Sequence, residues 1–109
     1  MNRVFLTGRL TKAPELRRTE KSGKFVATLR IAVDRPRTDG QADFLNVTLW
    51  EKAAENACRY LEKGALVAVE AHLSQRTVET EDGRRDVVDV AADRVEYLSH
   101  GAERGGAEP

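Results

Sequence analysis

The sequence holds a single cysteine, Cys58, so no disulfide framework can hold the chain together. Its only two histidines, His72 and His100, are far from each other and from that cysteine, and no metal-ligand spacing results. No run approaches the length of a membrane-spanning helix and no signal peptide heads the chain, which gives the expectation of a soluble, cytoplasmic protein with no membrane partner. A Gly-rich phosphate loop, a nucleophile elbow and a paired-His helix motif are all missing. The carboxylates are spread over turns and solvent faces, so neither an enzyme nor a cofactor is expected. Net charge is missing as well, with 18 Lys+Arg balanced by 18 Asp+Glu.

That balance conceals a division. Residues 1–40 carry ten basic residues against Glu15, Glu20, Asp34 and Asp39, a net of +6, and residues 41–109 carry eight against fourteen acids, a net of −6. A neutral chain of this kind can fold into one basic face and one acidic face. At 109 residues it is long enough for one domain with a real core and too short for two.

Hydrophobic periodicity sets the elements. Val4, Leu6, Gly8 and Leu10 alternate with Arg3, Phe5, Thr7 and Arg9, which predicts a strand, and Gly8 within it points to a bulge or sharp bend. Lys12-Ala13-Pro14 breaks the run, and extended structure resumes near Glu15 and Leu16. Phe25 to Val33 predicts a second strand, with Phe25, Ala27, Leu29, Ile31 and Val33 inward. A polar loop, Asp34 to Gln41, leads to a third strand in which Leu45, Val47 and Leu49 face inward and Phe44, Asn46, Thr48 and Trp50 outward. Ala53, Ala54, Ala57, Cys58 and Leu61 then recur at helical spacing, with Lys63-Gly64 as the stop. Cys58 on that stripe is expected to be a small core residue. Ala65 to Thr77 and Val87 to Val95 alternate again around the turn signal Glu81-Asp82-Gly83. His72, beside Glu70 and Ser74, is expected at the surface or an interface. Five strands with one helix between the third and fourth give an all-β fold with one helix, the OB-fold: a five-stranded Greek-key barrel that offers one face to oligonucleotides or oligosaccharides.

Aromatics make up only 6% of the chain, so two of them at the ends of an outward strand face are informative. Phe44 and Trp50 are candidate platforms for stacking bases, with packing as the competing role for Trp50. Arg3, Arg9, Arg30, Arg35, Arg37, Lys52, Arg76 and Arg84 are the candidate cations for a phosphate backbone.

Several runs, in order, are those of a known family. They are Asn2-Arg3-Val4-Phe5-Leu6-Thr7-Gly8-Arg9-Leu10, Pro14-Glu15-Leu16-Arg17, Ile31-Ala32-Val33-Asp34-Arg35, and Phe44-Leu45-Asn46-Val47-Thr48-Leu49-Trp50. Ala54-Glu55-Asn56, Tyr60-Leu61-Glu62-Lys63-Gly64 and Val67-Ala68-Val69-Glu70 complete the set. Over residues 1–98 the chain resembles the bacterial single-stranded DNA-binding proteins. The resemblance implies an OB-fold domain at 1–98 and a short flexible tail at 99–109. It implies a non-enzymatic subunit, assembled as a homotetramer with a dimer as the alternative. Such a subunit binds single-stranded DNA without sequence preference in replication, recombination or repair, in a cytoplasmic, nucleoid-associated setting. Phe44 and Trp50 match stacking positions of the family, Arg3 a basic position on the first strand, and Arg76 one at the root of the last hairpin.

There are departures. Val78 stands where the family has a further aromatic, Arg35, Pro36 and Arg37 where some members have a tryptophan, and Ala71 where many have glycine. Gly101 to Pro109 stands in place of a long tail with an acidic tip, so partners recruited through that tip are not expected. With fewer stacking residues, phosphate contacts are expected to carry more of the binding. Two rivals follow: a replication-restart primosomal OB protein, and an assembly partner that has lost DNA binding.

Overall fold

The computed structural model describes residues 1–101. Its elements are β1 (Val4–Leu10), β2 (Leu16–Arg18), β3 (Phe25–Asp34), β4 (Ala42–Trp50), α1 (Glu51–Tyr60), β5 (Leu66–Thr80) and β6 (Gly83–Tyr97). The five long strands and the helix after the third of them are those read from periodicity. The three-residue β2, where extended structure resumes after Pro14, raises the strand count to six.

The strands form one sheet in the order β1-β5-β6-β4-β3-β2, and a further β1–β3 pairing closes it. β1 pairs with β5 from Val4 to Arg9, then reaches β3 at Arg9 and Leu10. Gly8 sits at this crossing. A Cβ on Gly8 would lie 2.5 Å from the carbonyl oxygen of Ala32, so the glycine is needed for close backbone approach, and the bulge lies elsewhere. It falls in the β5–β6 ladder, where Glu70 pairs with Arg94 and Ala71 with Ala92, leaving Asp93 as the extra residue of β6. β4 and β6 run parallel through Val47–Val90 and Thr48–Ala91. The barrel is therefore an OB-fold, as the element order predicts.

The interior is apolar throughout. Leu29, Ile31, Val47, Leu49 and Val67 are the largest fully buried side chains, with Leu10, Val69 and the alanines 27, 54, 57, 65 and 71 around them. Burying one Leu, Ile or Val side chain contributes about 1.5–3 kcal/mol. No buried polar side chain among the described residues lacks a partner. α1 packs mainly on β3, burying Ala54 and Ala57, while Ala53 stays exposed. The helix stops earlier than its sequence signal predicts. Leu61 is already extended, and its N–H is bonded to the carbonyl of Ala57. Gly64, with φ 90°, serves the turn into β5, where its N–H bonds the carbonyl of Leu10.

Beyond the barrel, β5 and β6 continue as a projecting hairpin that turns through Glu81 and Asp82, with Thr80 opposite Gly83. Of the expected tail, Ser99 accepts a bond from the N–H of Leu66, and the carbonyl of His100 accepts one from Glu62. The remainder of that tail, residues 102–109, lies outside the described residues. None of the described helices is long and apolar enough to cross a membrane.

Candidate functional site

Pairing fixes which side chains share the outer face of β2, β3 and β4. Arg17 stands beside Val26, and Val26 opposite Trp50; then follow Thr28–Thr48, Arg30–Asn46 and Ala32–Phe44. Cross-strand partners point the same way, so these residues make one continuous surface. Across it run two adjoining grooves. The larger, about 700 Å³, is bounded by Trp50, Arg17 and the hairpin root at Arg76, Val87 and Asp89. The smaller, about 320 Å³, continues past Asn46 to Arg30, Lys12 and Glu15. They share Arg17, Thr28 and Asn46.

Two aromatics stand out from this face. Phe44 is 54% and Trp50 43% exposed. The guanidinium carbon of Arg30 lies 5.2 Å from the centre of the Phe44 ring, a cation–π contact that holds a positive charge beside an exposed aromatic. On the opposite side of the same strands Arg18 lies over Phe25 at 4.4 Å. Phe25, read as inward, is only half-buried at the start of β3, and Arg18 from β2 supplies part of its cover.

The charges divide by location. Among the described residues, Lys12, Arg17 and Arg30 make no ion pair, and all three line the grooves. Three of the five described arginines of the acid-rich half are matched by acids of β5 and β6: Arg76 by Asp89 at 2.6 Å, Arg84 by Glu79 at 3.5 Å and Arg94 by Glu96 at 3.0 Å. Asp89 also holds the Arg76 guanidinium more firmly protonated than an ordinary arginine, first through the hydrogen bond and then through its charge. The basic half thus contributes the groove's unpaired cations, Lys12, Arg17 and Arg30, while Arg76, from the acid-rich half, reaches the same face already compensated.

Of the candidate residues, the structure brings Arg30, Phe44, Trp50 and Arg76 to this face. Arg3 is elsewhere, on the outer side of β1 and β5, bonded to Asp93 at 3.1 Å and 3.7 Å from Glu70. His72 joins the same cluster, 3.0 Å from Asp93, and is half-buried at the surface. Arg9 donates to the carbonyl of Gly64. Arg35 pairs with Asp43 at 2.8 Å at the end of β3, and Arg37 occupies the following loop with φ 70°. Lys52 is exposed on the first turn of α1, and Arg84 lies near the hairpin tip.

Lys12, Arg17, Thr28, Asn46 and Thr48 complete the grooves and were not candidates. Lys12 and Arg17 fall in the aperiodic stretch around Pro14, where alternation gives no face. The two Thr and the Asn were legible as the outward face of their strands and carried no further signal. Cys58, on the core-facing side of α1, is partly buried, and burial pushes its thiol up. No cluster of metal-ligating side chains occurs among the described residues.

An OB barrel with exposed aromatics and unpaired cations lining one open face is a binding module of the oligonucleotide and oligosaccharide class. The chain belongs to the single-strand binding protein family, whose model matches residues 1–98. Among curated relatives it is 45% identical to a single-stranded DNA-binding protein of Bacillus cereus, over 99% of this chain and 65% of that protein. It is 46% identical to the Clostridium tetani single-stranded DNA-binding protein, over 93% of this chain and 72% of that one. With single-stranded DNA-binding protein 2 of Staphylococcus aureus the identity is 47%, over 90% of this chain and 72% of that protein. The chain thus spans just under two thirds of the length of the Bacillus cereus relative.

Proposed function

We propose that the chain binds single-stranded DNA without sequence preference and catalyses no reaction. Bases stack on Trp50 and Phe44, and phosphates follow Lys12, Arg17, Arg30 and Arg76 along the two grooves. The observation that carries this function is the coincidence of two exposed aromatics with three unpaired cations on one open sheet face. A stacked base contributes roughly 1–3 kcal/mol, and every base has a face to stack, so such a surface accepts any sequence. The groove is open, as a long flexible strand requires, and it lacks the enclosed shape that fits a small ligand. The relatives' names, which specify single-stranded DNA, select that polymer from the wider class.

On this basis residues 1–98 act as the DNA-binding domain, in protection of exposed strands during replication, recombination or repair, at the nucleoid in the cytoplasm. Arg3, Arg9, Arg35, Arg37, Lys52 and Arg84 serve a strand only where it continues beyond the grooves. The subunit works as a homotetramer. Support for assembly comes from Phe5, 72% exposed beside a hollow of about 220 Å³ on the outer side of β1 and β5, a face a second copy would cover. A gel shift with a thymine oligonucleotide and a duplex of equal length tests the function. Preferential retardation of the single strand is expected; equal or absent retardation of both would overturn it. Light scattering of the free protein gives the subunit count.

A further inference from the structure

The cations that line the grooves are of two kinds. Lys12, Arg17 and Arg30 are unpaired among the described residues, whereas Arg76 is already bound. Its Nε donates to Oδ2 of Asp89 at 2.6 Å and its Nη2 to Oδ1 at 3.4 Å. A carboxylate gripped along one edge of a guanidinium sits as a phosphate would, because both present two oxygens to the same fork. Asp89 is also the one carboxylate among the residues lining the larger groove. It reaches Arg76 diagonally across the ladder, since Arg76 pairs with Val87 and Asp89 with Ser74.

We propose that Asp89 competes with DNA phosphate for Arg76, so that this arginine is held in reserve in the free protein and engages a strand only by exchanging its carboxylate partner for a phosphate. The inference rests on the grooves being the DNA path. Its consequence is an uneven track. The end at Lys12, Arg17 and Arg30 offers uncompensated positive charge and captures the strand first. The hairpin-root end is electrically neutral until the exchange occurs, so contacts there are weaker and reopen sooner. Three of the five guanidinium N–H groups remain outside the Asp89 contact, which lets a phosphate approach before the carboxylate leaves.

Five proteins test this: wild type, Asp89→Asn, Arg76→Gln, the double variant of these two, and Asp89→Ser as a second removal of the same charge. Each is titrated with a thymine oligonucleotide at several salt concentrations, after circular dichroism and thermal melting establish the folded state. Asp89→Asn and Asp89→Ser are expected to tighten binding about two- to fivefold, the scale of one exposed ion pair. They should also steepen the slope of log K against log salt by up to about 0.7, one further phosphate on a single strand. In the Arg76→Gln background the gain should vanish. An equal gain in both backgrounds would show Asp89 acting only through its general negative field. No gain, or a loss, in the wild-type background would show that it helps Arg76 instead; either result overturns the competition. Wild-type binding is read separately, so failure of the function itself would appear as no binding by any of the proteins.

Discussion

Trp50 on β4 stands directly opposite Val26 on β3, and the two differ sharply in exposure, 43% against 4%. Val26 points away from the barrel core and is nonetheless buried, with Arg17 on one side and Trp50 on the other. The tryptophan thus lies beside an apolar floor and keeps part of its surface free in the larger groove. As the only tryptophan, it reports on that groove without background. Its fluorescence should be quenched by a thymine oligonucleotide. Trp50→Ala should weaken binding by about 1–3 kcal/mol, the value of one stacked base, and Trp50→Phe by less. Unchanged affinity in the alanine variant would leave packing as its role.

Phe44 and Arg30 form a mixed pair whose two halves are separable by salt. Arg30→Ala should flatten the salt dependence of binding by about 0.7, because one phosphate contact goes. Phe44→Ala should lower affinity at every salt concentration and leave the slope nearly as it was, since stacking releases no counterions. Titrations at low and moderate salt check both. Identical slopes for wild type and Arg30→Ala would remove Arg30 from the phosphate path.

Barrel closure depends on Gly8. The added methyl of Gly8→Ala would collide with backbone at Ala32, which cannot swing aside like a side-chain end. A loss of about 1–3 kcal/mol is expected, as for overpacking in a tight interior. Urea unfolding followed by circular dichroism measures it. A variant as stable as wild type would mean that β1 and β3 can separate freely at their crossing.

Cys58 on α1 and the nearby Tyr97 on β6 should make stability fall in alkali. Burial raises the Cys58 thiol above its ordinary value of 9.0. Tyr97 is raised above 10.0, by burial first and then by the nearby Cys58 and Tyr60. Both folded-state values exceed the unfolded ones, so the folded protein binds these protons more tightly. The contribution is complete below pH 9 and is lost as pH rises through the folded values. The urea midpoint should be level from neutral pH to about 8 and decline above 9, less steeply in Cys58→Ala. A midpoint that rises across that window would reverse the sign of both shifts.

Period-two alternation made the long strands legible, and Leu29, Ile31, Val47, Leu49 and Val67 are inward as that pattern requires. It says nothing about strand neighbours, and neighbours decide the rest. Val26 reads as outward and is buried because β2 and Trp50 flank it. Leu73 continues the alternation of the buried Val67, Val69 and Ala71 and is 43% exposed because β5 has by then left the barrel. At the site, Phe44, Trp50 and Arg30 are visible from sequence because aromatics and a cation on a polar strand face break the expected pattern. Arg17 and Lys12 are not, since the chain around Pro14 has no period. Asp89 looks like any solvated acid; its diagonal contact with Arg76 exists only in the register fixed by the turn at Glu81 and Asp82.

The join between β4 and α1 contains no connecting residue. Trp50 is both the last residue of the strand and the N-cap of the helix, and Glu51 makes the corner alone, in left-handed backbone at φ 54°. Such a conformation costs a residue with a side chain roughly 1–2 kcal/mol. A looser joint would have let the helix rock on the barrel while the indole stayed still. Here they are geared together. Ala54 and Ala57 anchor the helix, the helix sets the corner, and the corner aims the indole. A strand lying on that ring should therefore raise the protection of the α1 amides, read by hydrogen exchange with and without a thymine oligonucleotide.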